Sequence, residues 1–119
     1  MNIMKLIGSR VEEEYRQRMS ASRASVFGVE SNDPLKHIVR RLGYDTTKAI
    51  LLDHIPEQGE DIYTVLVMPE DIIMIEIERG NESSEPLLEF QTLKDYQRTL
   101  TKSSRIHLAV ALYIMGHER

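Results

Sequence analysis

Two runs decide the fold: Ile62-Tyr63-Thr64-Val65-Leu66-Val67 and Ile72-Ile73-Met74-Ile75-Glu76-Ile77-Glu78-Arg79, separated by Met68-Pro69-Glu70-Asp71. Side chains of this kind fit a pleated, half-buried surface, and a short proline-containing gap bounded by acids reads as a hairpin turn. In the second run Ile73, Ile75 and Ile77 share one face, while Ile72, Met74, Glu76 and Glu78 share the other. That parity predicts an antiparallel sheet with one face in a core and one reaching solvent.

Working outward from this hairpin at 62–79, Ala49-Ile50-Leu51-Leu52 reads as a strand leading toward it, and Pro56, Gln58, Gly59 and Glu60-Asp61 as a turn. Downstream, residues 80–85 form a polar loop, Pro86 fits an entry position, and Leu87-Leu88-Glu89-Phe90 gives a further short strand. Helical periods lie on both sides. From Asn2 to about Met19, apolar residues recur at Ile3, Leu6, Ile7, Val11, Tyr15 and Met19, with Glu12 and Arg16 as a favourable i, i+4 pair. In that helix Glu12-Glu13-Glu14 reads as a solvated face. Ser20 to Ser31 reads as loop, with Val26-Phe27 as a small apolar plug.

Asp33-Pro34 opens a second helix, because Asp caps the free amides and Pro sits where no donor is needed. Its stripe is Leu35, Ile38, Val39 and Leu42, and Gly43 ends it. Thr92 caps a third helix carrying Leu93, Tyr96 and Leu100; Ser103 or Ser104 caps a fourth from Arg105 to Met115, ended by Gly116. The last is apolar nearly all round, the mark of a helix gripped on more than one side. The expected architecture is a single α+β domain over residues 1–119, with an antiparallel sheet of three to five strands between about residues 49 and 90 flanked by helices from both termini.

The chain has no cysteine, hence no disulfide and no thiolate chemistry, which suits a reducing compartment and makes the Asn81-Glu82-Ser83 sequon a chance match. Lys5 and the acids that follow exclude a signal-peptide pattern, and the longest apolar run, Leu108 to Met115, is far below the ~20 residues a membrane span needs. A cytoplasmic protein is expected.

The net charge of −4 hides a sharp division. Residues 1–52 carry nine Lys or Arg and six acids; residues 90–119 carry five and two. Between them, residues 53–89 carry eleven acids and one base, Arg79. Strands pack within ~5 Å of each other, so a sheet gathers these charges together, where they repel and cost stability. One reading is an acidic solvent face neutralised by helix cations. The other is a surface for a basic protein partner, with apolar residues such as Ile72, Met74 or Tyr63 as anchors. Glu57, Asp61, Glu70, Asp71, Met74, Glu76, Glu78, Glu82 and Glu85 are the partner-binding residues this reading selects. A nucleic-acid ligand would meet the acidic segment first and is disfavoured.

No catalytic, cofactor-binding or metal-binding set stands out. His37, His54, His107 and His117 are widely spaced, and Asp53 and His54, as strand neighbours, point to opposite faces. No glycine-rich phosphate loop is present. One enzyme reading is a metal-dependent nuclease with Asp61, Glu76 and Glu78 holding Mg²⁺ through oxygen ligands. Against it, Glu78 stands where such nucleases place a catalytic lysine. A third reading is a structural subunit that self-associates through a sheet edge.

In its organisation (one cysteine-free domain, an acidic segment from Asp53 to Glu89, no catalytic signature) the chain resembles the immunity proteins of bacterial contact-dependent growth inhibition systems. The resemblance implies a non-catalytic, cytosolic protein that binds and blocks a nuclease toxin domain. It transfers no residue position by position.

Overall fold

The computed structural model describes residues 9–67, 71–80 and 85–117, and shows an α+β fold with a four-stranded antiparallel sheet. The elements are α1 (Arg10–Phe27), α2 (Pro34–Arg41), a single 3₁₀ turn at Thr46–Lys48, β1 (Ala49–Glu57), β2 (Glu60–Val67), β3 (Asp71–Glu78), β4 (Leu87–Thr92), α3 (Leu93–Gln97) and α4 (Lys102–His117). The strands follow one another in space, β1-β2-β3-β4, each antiparallel to the last. The predicted hairpin is therefore β2–β3, at the centre of the sheet. Its turn residues Met68, Pro69 and Glu70 lie outside the described residues.

A second hairpin replaces the expected turn before it. Pro56 and Glu57 end β1, Glu60 and Asp61 begin β2, and only Gln58-Gly59 turns. Gly59, at φ +81°, supplies the left-handed backbone this tight reversal needs. One irregularity interrupts the pairing: a bulge at Leu52 resets the alternation of β1, so that Asp53 faces Thr64.

Both faces of the sheet carry core, which corrects the one-sided expectation. On one face Val65, Val67, Ile73 and Ile75 pack under α2 through Leu35, Ile38 and Val39, with Phe27 from the end of α1. On the other, Ile50, Leu52, Leu66 and Ile72 pack under α1 and α4 through Met19, Leu108, Val110, Ala111 and Ile114. The predicted parity of β3 holds, but Ile72 is fully buried rather than solvent-facing. Cover on this second face stops there: Met74 and Glu76 are half-buried and Glu78 is exposed.

The first helix differs most from expectation. Residues 1–8, including Ile3, Leu6 and Ile7, lie outside the described residues, and α1 runs on through the serine-rich segment expected to be loop. Ser9 caps it in a capping box: its hydroxyl accepts from the Glu12 amide at 3.2 Å, and the Glu12 carboxylate accepts from the Ser9 amide at 2.9 Å. Glu12 is thus buried rather than part of a solvated face, while Val11 is 51% exposed rather than in the stripe. The helix continues because its three serines, Ser20, Ser22 and Ser25, cost little once Met19 and Phe27 are anchored in the two cores. It ends at Gly28, where a Cβ would collide with the Ala24 carbonyl oxygen.

The link to α2 is fixed by Lys36. Its buried ammonium donates to the carbonyls of Gly28 (2.6 Å), Val29 (3.2 Å) and Ser31 (3.2 Å). Asp33 caps α2 as predicted, accepting from the Leu35 amide at 2.9 Å, and Gly43 follows its end at φ +95°. Thr92 caps α3. For α4 the cap is Thr101, whose hydroxyl accepts from the Ser104 amide at 3.1 Å, so the helix starts earlier than Ser103 or Ser104 would set it. Gly116 lies within α4 rather than ending it.

Candidate functional site: an acidic sheet face

Cross-strand register converts the acidic segment into a surface with a definite layout. Residues opposite each other across antiparallel strands share a face. At the free end of the sheet, on the face that α1 and α4 cover farther along, Glu57 lies opposite Glu60 and Glu60 opposite Glu78. The next row is Ile55, Ile62, Glu76 and Leu87, and the one after it is Asp53, Thr64, Met74 and Glu89. Carboxylates and apolar side chains therefore interleave: Glu57, Glu60, Glu76, Glu78 and Glu89 surround Ile55, Ile62, Met74 and Leu87. Ile55 is 46% and Leu87 66% exposed.

Among the described residues these charges find no neutralising partner. Among the described residues, no ion pair reaches Glu57, Glu60, Glu76, Glu78 or Glu89 through its carboxylate. Glu60 and Glu76 lie within hydrogen-bonding reach of each other, and this neighbour holds the Glu60 carboxyl above its ordinary value. Two carboxylates in contact cannot both ionise freely. Deeper along the same face Asp53 adds negative field: burial first, then Asp53, pushes the Tyr96 phenol up.

Arg79, the one base of the segment, is committed to the opposite side of the hairpin. Its guanidinium donates to the Glu57 carbonyl and, at 3.0 Å, to the Glu60 carbonyl; its Nε lies 3.2 Å from Asp61 Oδ2. Its own amide donates to the Gly59 carbonyl at 2.8 Å. Arg79 thus ties the β1–β2 tip to the end of β3 while leaving the acidic face unpaired.

The predicted partner-binding residues divide accordingly. Glu57, Met74, Glu76 and Glu78 come together on the acidic face. Asp61 and Asp71 are on the other face, since they pair with Ile77 and Val67. Asp61 is held between Arg79 and His54, whose Nε2 is 3.0 Å away. Asp71 accepts from the Tyr44 hydroxyl at 3.2 Å, and burial together with Asp71 pushes the Tyr44 phenol up. Glu85 stands exposed on the α2 side, and Glu70 and Glu82 lie outside the described residues. The Mg²⁺ reading loses its geometry: the sheet separates Asp61 from Glu76 and Glu78. Among the described residues no three His, Asp or Glu side chains are placed to hold a metal.

Glu60, Glu89, Ile55, Ile62 and Leu87 were not among the residues selected from sequence. Gln58-Gly59 is the signal that finds the first two rows: read as a two-residue hairpin turn, it sets Glu57 opposite Glu60 and Ile55 opposite Ile62. His54 also gains a partner that its sequence neighbours do not reveal. It stacks on Tyr63 (ring centroids 4.5 Å apart, 13° between planes) and meets Asp61 diagonally across the strands.

On the α2 side, a cleft of about 650 Å³ lies between α2 and the ends of β2 and β3. Its walls mix Arg41 and Arg79 with Asp61 and Glu85, around Tyr63 and Ile77, and the end of β3 at Glu78 borders it. Burial, then Asp61 and Asp33, holds the Tyr63 phenol above its ordinary value. No described helix is long and apolar enough to cross a membrane. Comparison with protein-family models, with curated proteins and with solved structures finds no match.

Proposed function

We propose that this protein is a non-catalytic binder of a basic protein, acting in the bacterial cytoplasm as an immunity protein against a nuclease toxin. The observation that carries the reading is the acidic face, unpaired among the described residues. Glu57, Glu60 and Glu78 sit in one cross-strand row beside Glu76, at a cost in repulsion registered at Glu60, with Ile55, Ile62, Met74 and Leu87 among them. Like charges opposite each other destabilise a sheet, so the arrangement works against the fold. A partner carrying Lys and Arg relieves that cost on binding, and the exposed Ile55 and Leu87 give it apolar contact. Carboxylates spaced along a strand take the place of the phosphates such a nuclease holds, so the toxin is blocked by occlusion. The field speeds encounter more than it adds affinity.

The experiment is association kinetics with the product of the adjacent gene over a salt series, together with rescue of that product's nuclease activity. An on-rate that falls steeply with salt, and loss of protection when Glu76 and Glu78 are reversed, support the reading. Unchanged protection by the Glu76→Lys, Glu78→Lys variant sinks it.

A further inference from the structure

The two edges of the sheet are treated differently. Along β1, α1 passes from the core of one face (Met19) to the core of the other (Phe27), and Arg23 donates to the Thr47 carbonyl just before the strand. The Leu52 bulge and Pro56 interrupt that edge further. Helix cover, bulges and proline are the devices that keep an edge from pairing with another chain. Among the described residues β4 has none of them. It pairs with β3 over six successive positions without a bulge, and residues 87–92 contain no proline, lysine or arginine. It packs mainly on β3 and α3, leaving Leu87 66%, Leu88 37% and Phe90 53% exposed. A regular, apolar, uncovered edge is a template for another strand.

We propose that the strand it takes is β4 of a second copy, antiparallel, about a two-fold axis at Phe90, joining two four-stranded sheets into one. The sequence of β4 selects both the occupant and the register. A two-fold axis perpendicular to the sheet keeps each face common to both copies, so facing residues share parity and the axis falls at a residue position. An axis at Glu89 sets carboxylate against carboxylate. An axis at Leu88 sets Glu89 against Leu87, and one at Gln91 runs Glu89 into the start of α3. The axis at Phe90 pairs residues 88–92 within the two strands, leaves Leu87 beyond the pair, and sets no carboxylate against a carboxylate or an apolar side chain. It sets Phe90 against Phe90 of the second copy, Leu88 against Thr92, and Glu89 against Gln91, an amide donor, twice over.

Leu88 and Phe90 lie opposite Ile75 and Ile73 in β3, so the aromatic pair extends the apolar layer under α2. Glu89 and Gln91 lie on the other face, beside the acidic rows. The pairing stands without the proposed function. Where both hold, the dimer presents two acidic faces on the same side of one sheet.

Sedimentation equilibrium of the full chain from micromolar to submillimolar concentration reads the association directly. Gln91→Lys sets a cation against Glu89 twice and tightens the dimer several-fold, whereas Gln91→Glu loosens it by a similar factor. Phe90→Lys is monomeric; the site is half exposed, so the variant keeps its fold, checked by its melting transition. Register is read by cross-linking, since the chain has no cysteine of its own. Facing residues in an antiparallel pair have Cα atoms about 4.5–5.5 Å apart, within disulfide range. Phe90→Cys therefore oxidises to a covalent dimer, while Glu89→Cys, facing Gln91, stays unlinked. A wild-type chain that is monomeric throughout, as when the edge takes a strand of a different protein, overturns the proposal. So does cross-linking of Glu89→Cys in place of Phe90→Cys.

Discussion

Glu60 and Glu76 meet diagonally across β2 and β3 on one sheet face, and Glu76 raises the pKa of Glu60 above its ordinary value of 4.5. The native state therefore binds more protons than the unfolded chain from about pH 4.5 up through the raised pKa of Glu60. Stability from this group is present at low pH and is lost as pH rises through that window. Above that window the contact sets charge against charge and is repulsive. Glu60→Gln should raise the melting temperature at pH 7, and the gain should shrink as pH falls through the window. Melts across pH give the result; a gain that is the same at every pH would show that the two carboxyls do not interact.

The link between α1 and α2 depends on a buried cation held by three backbone carbonyls. Lys36→Met removes three donors and leaves the Gly28, Val29 and Ser31 carbonyls unsatisfied. The expected loss is about 2–3 kcal/mol, more than the ~1 kcal/mol from removing the Asp33 cap. Ile38→Ala, in the core under α2, should cost about 2–5 kcal/mol. Val11→Ala, on an exposed turn of α1, should change stability by less than about 0.5 kcal/mol. Chemical denaturation of the four variants checks the order. If Lys36→Met proves as mild as Val11→Ala, those carbonyls have other partners.

What could be read from the sequence was set by local rules. α2 was legible because Asp33, Pro34 and Gly43 act through their own backbone, and the β2–β3 hairpin because β-branched density is a short-range signal. α1 was misread because propensity is weak. Its serine-rich half is helical through Met19 and Phe27, whose cores are built from strands far along the chain. The acidic site was half legible. Composition located the charge between residues 53 and 89, but face depends on register, and register passes through the Gln58-Gly59 turn and the Leu52 bulge. This is why Asp61 and Asp71 were grouped with Glu76 and Glu78, although the sheet stands between them.

Arg79 holds the β1–β2 tip through two backbone carbonyls and the Asp61 carboxylate. Arg79→Ala should cost about 1 kcal/mol, the side chain being half exposed, and should speed amide exchange near Gly59 with little change under α4. Arg79→Lys should recover little of this, because a single ammonium cannot reach all three acceptors as the planar fork does. Full recovery by lysine would reduce the role of Arg79 to its charge.

The two-sided distribution of carboxylates makes the binding proposal specific. Reversing Glu76 with Glu78, on the acidic face, should slow association with a basic partner. The same change in net charge at Glu13 with Glu14, both exposed on α1, should do little. The difference should narrow as salt rises, because the screening length falls from ~10 Å at 0.1 M to ~3 Å at 1 M. Leu87→Ala should act otherwise. It removes apolar contact and leaves the field intact, so dissociation should quicken at every salt concentration with the same slope. Asp71→Lys should first destabilise the fold, since Asp71 lies on the other face and accepts from Tyr44. Its on-rate should stay near wild type wherever the variant remains folded. Stopped-flow association over a salt series, with melts alongside, separates these effects. Equal slowing by the Glu13, Glu14 and the Glu76, Glu78 reversals would show that only total charge matters, and that the acidic face is ordinary solvated surface.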